Sequence, residues 1–417
     1  MHVYNTCKPY IYGFSFMISS AIRHVLRYPK LRRRLLQYVL LTFFLWSTAD
    51  ILLVQRHYHE EQTHTDFKPP ERQRIYIASI FWSNEQTLSS HWNEAVVELA
   101  NVFGPDNIFV SVYESGSNDG TKDHLRELDR VLDTIGVQRN IALSDVAHQD
   151  EVSMTPIDND WSDHPPGEKE FRRTYYLSRL RNMSLRPLHD LRDIGTLFDR
   201  VLFLSDVIFT SQDVLSLLNT NYGTYAAACS FDILAPRLYD TSALRDADGH
   251  ERVMQEWPYF RSSRSRNAMK SMLPVPVKSC WDAMVFMRTD SFYSNPPLQF
   301  RGVPDSLAAN HVAGSECCLI HADDSLSKRK GVYLNPFVRV GHDAGAVYSA
   351  SHPASHWLSA WEIFRSLWEN RLRRWFTFPS LNGWTLRKRI AQWGTQEENN
   401  LERGDFCLVD KIQAVRT

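Results

Sequence analysis

Residues 107–125 read NIFVSVYESGSNDGTKDHL, and the fold class follows from them. Ile108 to Tyr113 is an apolar run of strand length, and such uninterrupted runs mark strands covered on both faces. Glu114 closes the run. Ser115, Gly116, Ser117, Asn118, Asp119 and Gly120 then form a turn whose small residues let backbone N–H groups swing towards a ligand. A helix pattern starts at Thr121. In open α/β sheets, ligands bind outside the carboxyl ends of the strands. A carboxylate there repels phosphate but accepts from the donors of a nucleobase or ribose, which is how a nucleotide-sugar site begins.

The surrounding chain repeats the alternation. Ile75 to Phe81 predicts a strand, and Leu88, Trp92, Ala95, Val96, Leu99, Val102 and Phe103 recur at helical spacing before Gly104-Pro105. Leu125, Leu128, Leu132 and Ile135 form one face of a second helix, closed by Gly136, and Ile141 to Leu143 begins a third strand. Strand and helix alternating at this spacing predict a doubly wound, mostly parallel sheet. Residues 146–170 read as a long loop, and Phe171 to Leu185 as a helix carrying Arg172, Arg173, Arg179 and Arg181. Asp199 to Thr210, DRVLFLSDVIFT, is a strand ending in Ser205-Asp206, followed by a short helix after Asp213 and a strand at Tyr225–Phe231. Pro236 to Pro276 has little periodicity, Trp281 to Met287 reads as a strand, and Trp357 to Trp375 as a helix.

The chain has 417 residues, 43% of them hydrophobic, and a net charge of −1, so a large core is affordable and bulk electrostatics do not support nucleic-acid binding. Arg23, Arg27, Lys30, Arg32, Arg33 and Arg34 precede an apolar segment, Leu35 to Val54, of about the 20 residues that a bilayer requires. A basic flank before the span predicts a cytosolic N-terminus. The expected order is a basic tail (1–34), a transmembrane helix (35–54), a stem (55–73) with Pro69-Pro70, a luminal domain (74–393) and a polar tail (394–417). Of the six cysteines, Cys7 falls on the cytosolic side and five on the luminal side, so at least one of the five is free or paired between chains. Asn182-Met183-Ser184 is a glycosylation sequon inside a helical stretch.

The segments YIASIFWSNEQTL, FVSVYESGSNDGTKDHLRELD, LFLSDVIFTSQDVL, YAAACSFD, WPYFRSSRSR, PVPVKSCWDAMVF, FRGVPDSLA and GSECCLIHAD closely resemble the fungal α-1,3-mannosyltransferase family linked to capsule synthesis, glycosyltransferase family 69. The resemblance runs from about Arg74 to Trp375. It implies a GT-A-like nucleotide-sugar fold, GDP-mannose as donor, retention of configuration and a type II anchor in the Golgi or endoplasmic reticulum membrane. ESGSNDGT also resembles the DDGSTDGT-type loop of GT-A transferases, which maps base contact onto Glu114 and Asp119. LSDV resembles an Asp-x-Asp metal motif with Ser205 in place of one carboxylate. Trp281-Asp282-Ala283 stands where the family often carries Trp-Asn-Gly.

Candidate roles follow. Asp206 is a ligand for Mn²⁺ or Mg²⁺, or a cap for the next turn. His321 and Asp323 are candidates to complete the coordination, His321 being otherwise a buried, hydrogen-bonded imidazole. Arg179 and Arg181 suit a bidentate grip on phosphate, or a solvated helix face. Glu316 and, more weakly, Asp305 are acid–base candidates, Glu316 being otherwise an ion-pair partner for an arginine. Two further readings stand beside transfer from GDP-mannose to a mannose-containing glycan. One is a catalytically weak subunit that organises a complex with other glycosyltransferases, and the other is transfer from a UDP-sugar.

Overall fold

A computed structural model describes residues 29–62, 67–68, 73–146, 168–234, 237–238, 242–342, 358–377, 379–398 and 400–410. Residues 1–28, parts of the stem and 147–167 of the long loop lie outside the described residues. The chain divides into two compact units, 1–56 and 57–417. The first is dominated by helix α1 (Pro29–Gln62). Its Pro29–Tyr58 portion is long and apolar enough to cross a membrane by length and composition. Lys30 to Arg34 form the opening turns of this helix, so it starts earlier than the apolar segment alone predicts.

The second unit is built on one ten-stranded sheet with the order β3-β2-β1-β4-β9-β5-β11-β8-β7 and β6 beside β5. Strands β1 (Ile75–Phe81), β2 (Ile108–Glu114), β3 (Gln138–Leu143) and β4 (Arg200–Leu204) are mutually parallel. Strand β9 (Met284–Arg288) runs against its neighbours β4 and β5 (Ala227–Leu234), and β5 pairs in parallel with β11 (Val332–Val340). Strands β6 (Arg237–Leu238) and β8 (Val275–Ser279) are antiparallel to their partners, and β7 (Arg245–Asp246) closes the edge against β8. This is the doubly wound sheet that the sequence predicts, parallel through β1 to β4 and mixed beyond β4.

Helices cover both faces, which is why β1 and β2 read as continuous apolar runs. On one face α2 (Asn93–Phe103), α3 (Thr121–Thr134) and α5 (Ser211–Leu218) bury Leu99, Leu125, Leu128, Val214 and Leu215 against Ile75, Ile77, Ile108 and Val110. On the other face α4 (Glu168–Asp193) packs on β1 and β2. Tyr76 stacks on Phe109 at 5.2 Å, and its hydroxyl donates to Ser184 O at 2.7 Å.

Several boundaries differ from expectation for identifiable reasons. Helix α5 starts at Ser211, ahead of Asp213, because Thr210 and Asp213 form a reciprocal capping box. Trp281 to Ala283 is a loop before β9, since Ala283 adopts a positive φ of 61° that a strand does not allow. The Arg261–Arg266 stretch is largely helical, as α6 (Ser263–Lys270). The short helix α7 (Asp305–Ala308), strand β10 (Val312–Gly314) and helices α8 (Glu316–Asp323) and α9 (Ser325–Lys330) lead into β11. Helices α10 (Ala360–Phe376) and α11 (Pro379–Gly394) follow. Within the stretch after residue 394, β12 (Leu408–Asp410) pairs with β10, and Cys407 is bonded to Cys318. A second disulfide joins Cys229 to Cys280, and Cys317 is a buried cysteine outside both disulfides. The Asn182 amide is committed, donating to Phe300 O at 2.8 Å and accepting from Phe300 N at 2.9 Å.

Candidate active site

The loops after β1, β2, β4, β5 and β11 meet at one edge of the sheet, the carboxyl ends of these parallel strands. Asn84, just beyond β1, ties them together. Its N–H donates to Thr121 Oγ1 at 2.8 Å, and its side-chain amide donates to Asp206 Oδ2 at 2.6 Å. Ser83 N–H donates to Ser117 Oγ at 2.9 Å, and Trp92 Nε1–H to Ser205 O at 3.0 Å. The β2 turn is thereby fixed relative to Asp206. A Cβ on Gly120 would lie 2.8 Å from the Glu85 carboxylate that accepts its N–H, so a side chain there would displace that exposed carboxylate.

Glu114 is fully buried. One oxygen accepts the N–H of Ser117, and the other lies 3.9 Å from Lys122 Nζ with no hydrogen-bond partner. Three residues of turn bring Ser117 N–H back onto the carboxylate, so Glu114 holds the loop from beneath. Asp119 is exposed and accepts from Thr121 N (3.1 Å) and Glu85 N (3.3 Å). Burial raises its pKa, but the hydrogen bonds from Thr121 and Glu85 outweigh this and hold it below the usual carboxylate range. It caps the start of α3 and links that turn to the β1 loop.

Asp206 follows β4 and is half-buried. Two residues that sequence reasoning missed face it. His342, beyond β11, places Nδ1 3.0 Å from Asp206 O and 3.9 Å from Asp206 Oδ2, while its Nε2 lies 3.7 Å from Asp232 Oδ2 at the end region of β5. The Asp232 hydrogen bond pushes His342 up to about 9, against burial and with help from Asp206. Burial pushes Asp206 up, opposed by His342 and aided by the Asp232 charge. Asp232 Oδ1 is buried with no hydrogen-bond partner. Asp206 and Asp232, the latter with an orphaned oxygen, bring two carboxylates to the strand ends, the oxygen ligands a divalent cation takes, and His342 lies between them as their hydrogen-bonded partner. The rule that picked out Asp206, a polar group ending an apolar strand, also applies to Phe231-Asp232 and Val340-Gly341-His342.

His321 and Asp323 do not join this group. His321 is buried in α8 with Nε2 2.7 Å from Cys280 O and its ring against Trp281. Burial drives it down to about 4. It lies beside Cys229 and Cys280, whose sulfurs are bonded to each other and supply no thiolate. Asp323 binds Arg301 through two contacts of 2.6 and 3.0 Å, and Arg301 also holds Glu402. Residues two apart on a helix face different directions, so His321 and Asp323 cannot share one ion.

The same geometry separates Arg179 from Arg181. Arg179 is exposed on the outer side of α4. Arg181 lies over the Trp281 ring at 4.8 Å, with Nε 3.4 Å from Glu316 Oε1. Arg181, Ala78, Ile80, Phe203 and Ser205 line a cavity of about 10 Å³, room for about one water. Glu316 is therefore brought to the site as the ion-pair partner of Arg181. Asp305 is not: its helix α7 packs with β10 and α11.

Residues 74–323 match the family model described as Cryptococcal mannosyltransferase 1. The alpha-1,3-mannosyltransferase CMT1 of Cryptococcus neoformans var. neoformans serotype D is 25% identical over 281 residues, covering 63% of this chain. The match covers 56% of that relative's length. Among solved structures, the mannosyltransferase PcManGT from Pyrobaculum calidifontis, in complex with GDP-Man and Mn2+, superposes with a TM-score of 0.36 and 11% identity over 86% of each chain. S. aureus TarS 1-349 gives a TM-score of 0.36 and 10% identity, covering 77% of this chain and 80% of that one.

Proposed function

The chain belongs to the Cryptococcal mannosyltransferase 1 family, and on that premise we propose that it is a glycosyltransferase that transfers mannose from GDP-mannose to a mannose-containing glycan, with retention and an α-1,3 linkage. The observation that carries this reading is the meeting of Asp206, Asp232 and His342 beside the Glu114 turn, bridged by Asn84. In this reading the turn from Ser115 to Gly120 supports the nucleotide, its shape set by Glu114 and Asp119. Asp206, Asp232 and His342 would hold Mn²⁺ or Mg²⁺, whose charge would oppose the negative charge that builds on a departing diphosphate. Arg181 supplies a second, fixed cation, its guanidinium pinned between Glu316 and the Trp281 face. Trp281 and Asp282 border the sugar side. The α1 helix anchors the enzyme in a Golgi or endoplasmic reticulum membrane as a type II protein, where it acts beside other glycosyltransferases.

The test is turnover by the full chain in detergent with a panel of GDP- and UDP-sugars, with and without Mn²⁺. GDP-mannose is the expected donor. Asp206→Ala and His342→Gln are each expected to lower Mn²⁺-stimulated turnover by about 100-fold or more, the range seen when one electrostatic stabiliser is removed from an active site. Equal turnover of a UDP-sugar removes the donor assignment, and near-normal metal stimulation in Asp206→Ala removes the metal assignment.

A further inference from the structure

The outward side of α10 is apolar where a surface helix is ordinarily polar. Ile363, Ser366, Leu367 and Asn370 face the domain and are buried. On the opposite side, Trp361, Trp368, Leu372 and Trp375 recur at helical spacing. Trp361 is 68% exposed, Leu372 47%, Trp375 53% and the adjoining Phe376 75%. In α11, Trp384 is 62% exposed with Lys388 Nζ 5.4 Å from its ring. Residues 360–394 hold five of the chain's twelve tryptophans and seven Arg or Lys against two Glu.

Both glutamates are already engaged. Glu362 closes the cap at Ser359, and Glu369 pairs with Arg373 at 2.8 Å. A sugar-binding platform sets carboxylates or amides beside its aromatic rings to bond hydroxyls, and Leu372 and Phe376 offer neither. Arg365 and Arg389 pair with Glu256 and Asp410 and Arg371 is buried, so Arg374, Arg387 and Lys388 are the bases beside the exposed tryptophan, phenylalanine and leucine, the composition of a segment that lies at a bilayer surface carrying anionic lipid. The same chain carries a helix long and apolar enough to cross a membrane.

We propose that the outward face of α10, with Trp384 and Lys388 of α11, docks onto an anionic lipid surface and seats the catalytic unit against the membrane. This extends the anchoring part of the reading above from one helix to a second contact.

The experiment places the full chain in phosphatidylcholine nanodiscs, with and without phosphatidylserine, doped with a photoactivatable lipid, and maps crosslinked peptides by mass spectrometry. Crosslinks are expected within 360–376 and to rise with phosphatidylserine. The Leu372→Ser/Phe376→Ser pair is expected to lower their yield by about tenfold, since each exposed side chain loses transferable apolar area. Donor turnover in detergent and the melting temperature stay unchanged in that variant, because both residues are exposed. Absence of crosslinks in 360–394 at every lipid composition, indifference to phosphatidylserine, or crosslinks from this face to a second protein chain each overturn the proposal. Crosslinks at 29–58 report on the anchor alone, so loss of the docking contact and loss of the span are read separately.

Discussion

His321 and Glu114 show how burial decides what a titratable side chain does. An imidazole with a folded-state pKa of about 4 against an ordinary 6.5 binds a proton more readily once unfolded. Its contribution to stability is therefore complete above about pH 6.5 and is lost as pH falls towards 4, a change on the order of 3 kcal/mol. His321→Gln is expected to flatten that part of the stability–pH profile measured by denaturant titration, and an unchanged acid limb would assign the loss to other groups. Glu114 is a carboxylate serving a loop N–H from below. Glu114→Gln keeps one acceptor but turns an amide towards Lys122. The expected result is a loss of about 1–3 kcal/mol in stability, with calorimetric affinities for GDP and UDP falling together. A selective loss of GDP affinity alone would assign Glu114 a direct base contact.

At the scale of elements, the turn from Cys280 to Ala283 aims the second half of the site. Cys280 is bonded to Cys229 in β5, the Ser230 hydroxyl donates to Asp282 O, and Ala283 O accepts Ser205 N–H at 2.9 Å, next to Asp206. Ala283 holds this turn with φ of 61°, where an L side chain costs about 1–2 kcal/mol. Glycine relieves that cost but adds about 0.4–1 kcal/mol of unfolded-state entropy, so Ala283→Gly is expected to be neutral or to stabilise by up to about 1.5 kcal/mol. Ala283→Val meets both the backbone restriction of a β-branched residue and a buried site, and is expected to cost about 2–4 kcal/mol. Thermal unfolding of the two variants measures the difference, and equal melting temperatures would mean that the turn relaxes freely.

At the scale of the whole molecule, Cys318–Cys407 ties the C-terminal stretch to α8 across 89 residues, and Arg301 joins Asp323 to Glu402 over the same junction. Removing a bridge over a loop of that length costs about 2–5 kcal/mol. Cys407→Ser is expected to lower unfolding stability by that amount and to leave β12 open to limited proteolysis, while Cys317→Ser, at a cysteine outside both disulfides, is expected to be much milder. Comparable losses in the two variants would count against the bridge.

The sequence by itself determined the doubly wound sheet, because strands covered on both faces must be apolar throughout and their helices must repeat every three to four residues. Those patterns are local and survive in one dimension. It also marked Glu114, Asp206, Arg181 and Glu316, each beside an apolar run. Only the tertiary structure decided which of them meet. Asp206, Asp232 and His342 are separated by long stretches of chain and come together because β4, β5 and β11 end on one edge of the sheet. His321 and Asp323, two residues apart in sequence, are turned in different directions by the helix that holds them. Contact at the site is set by sheet order and helical phase, and neither is written in sequence distance.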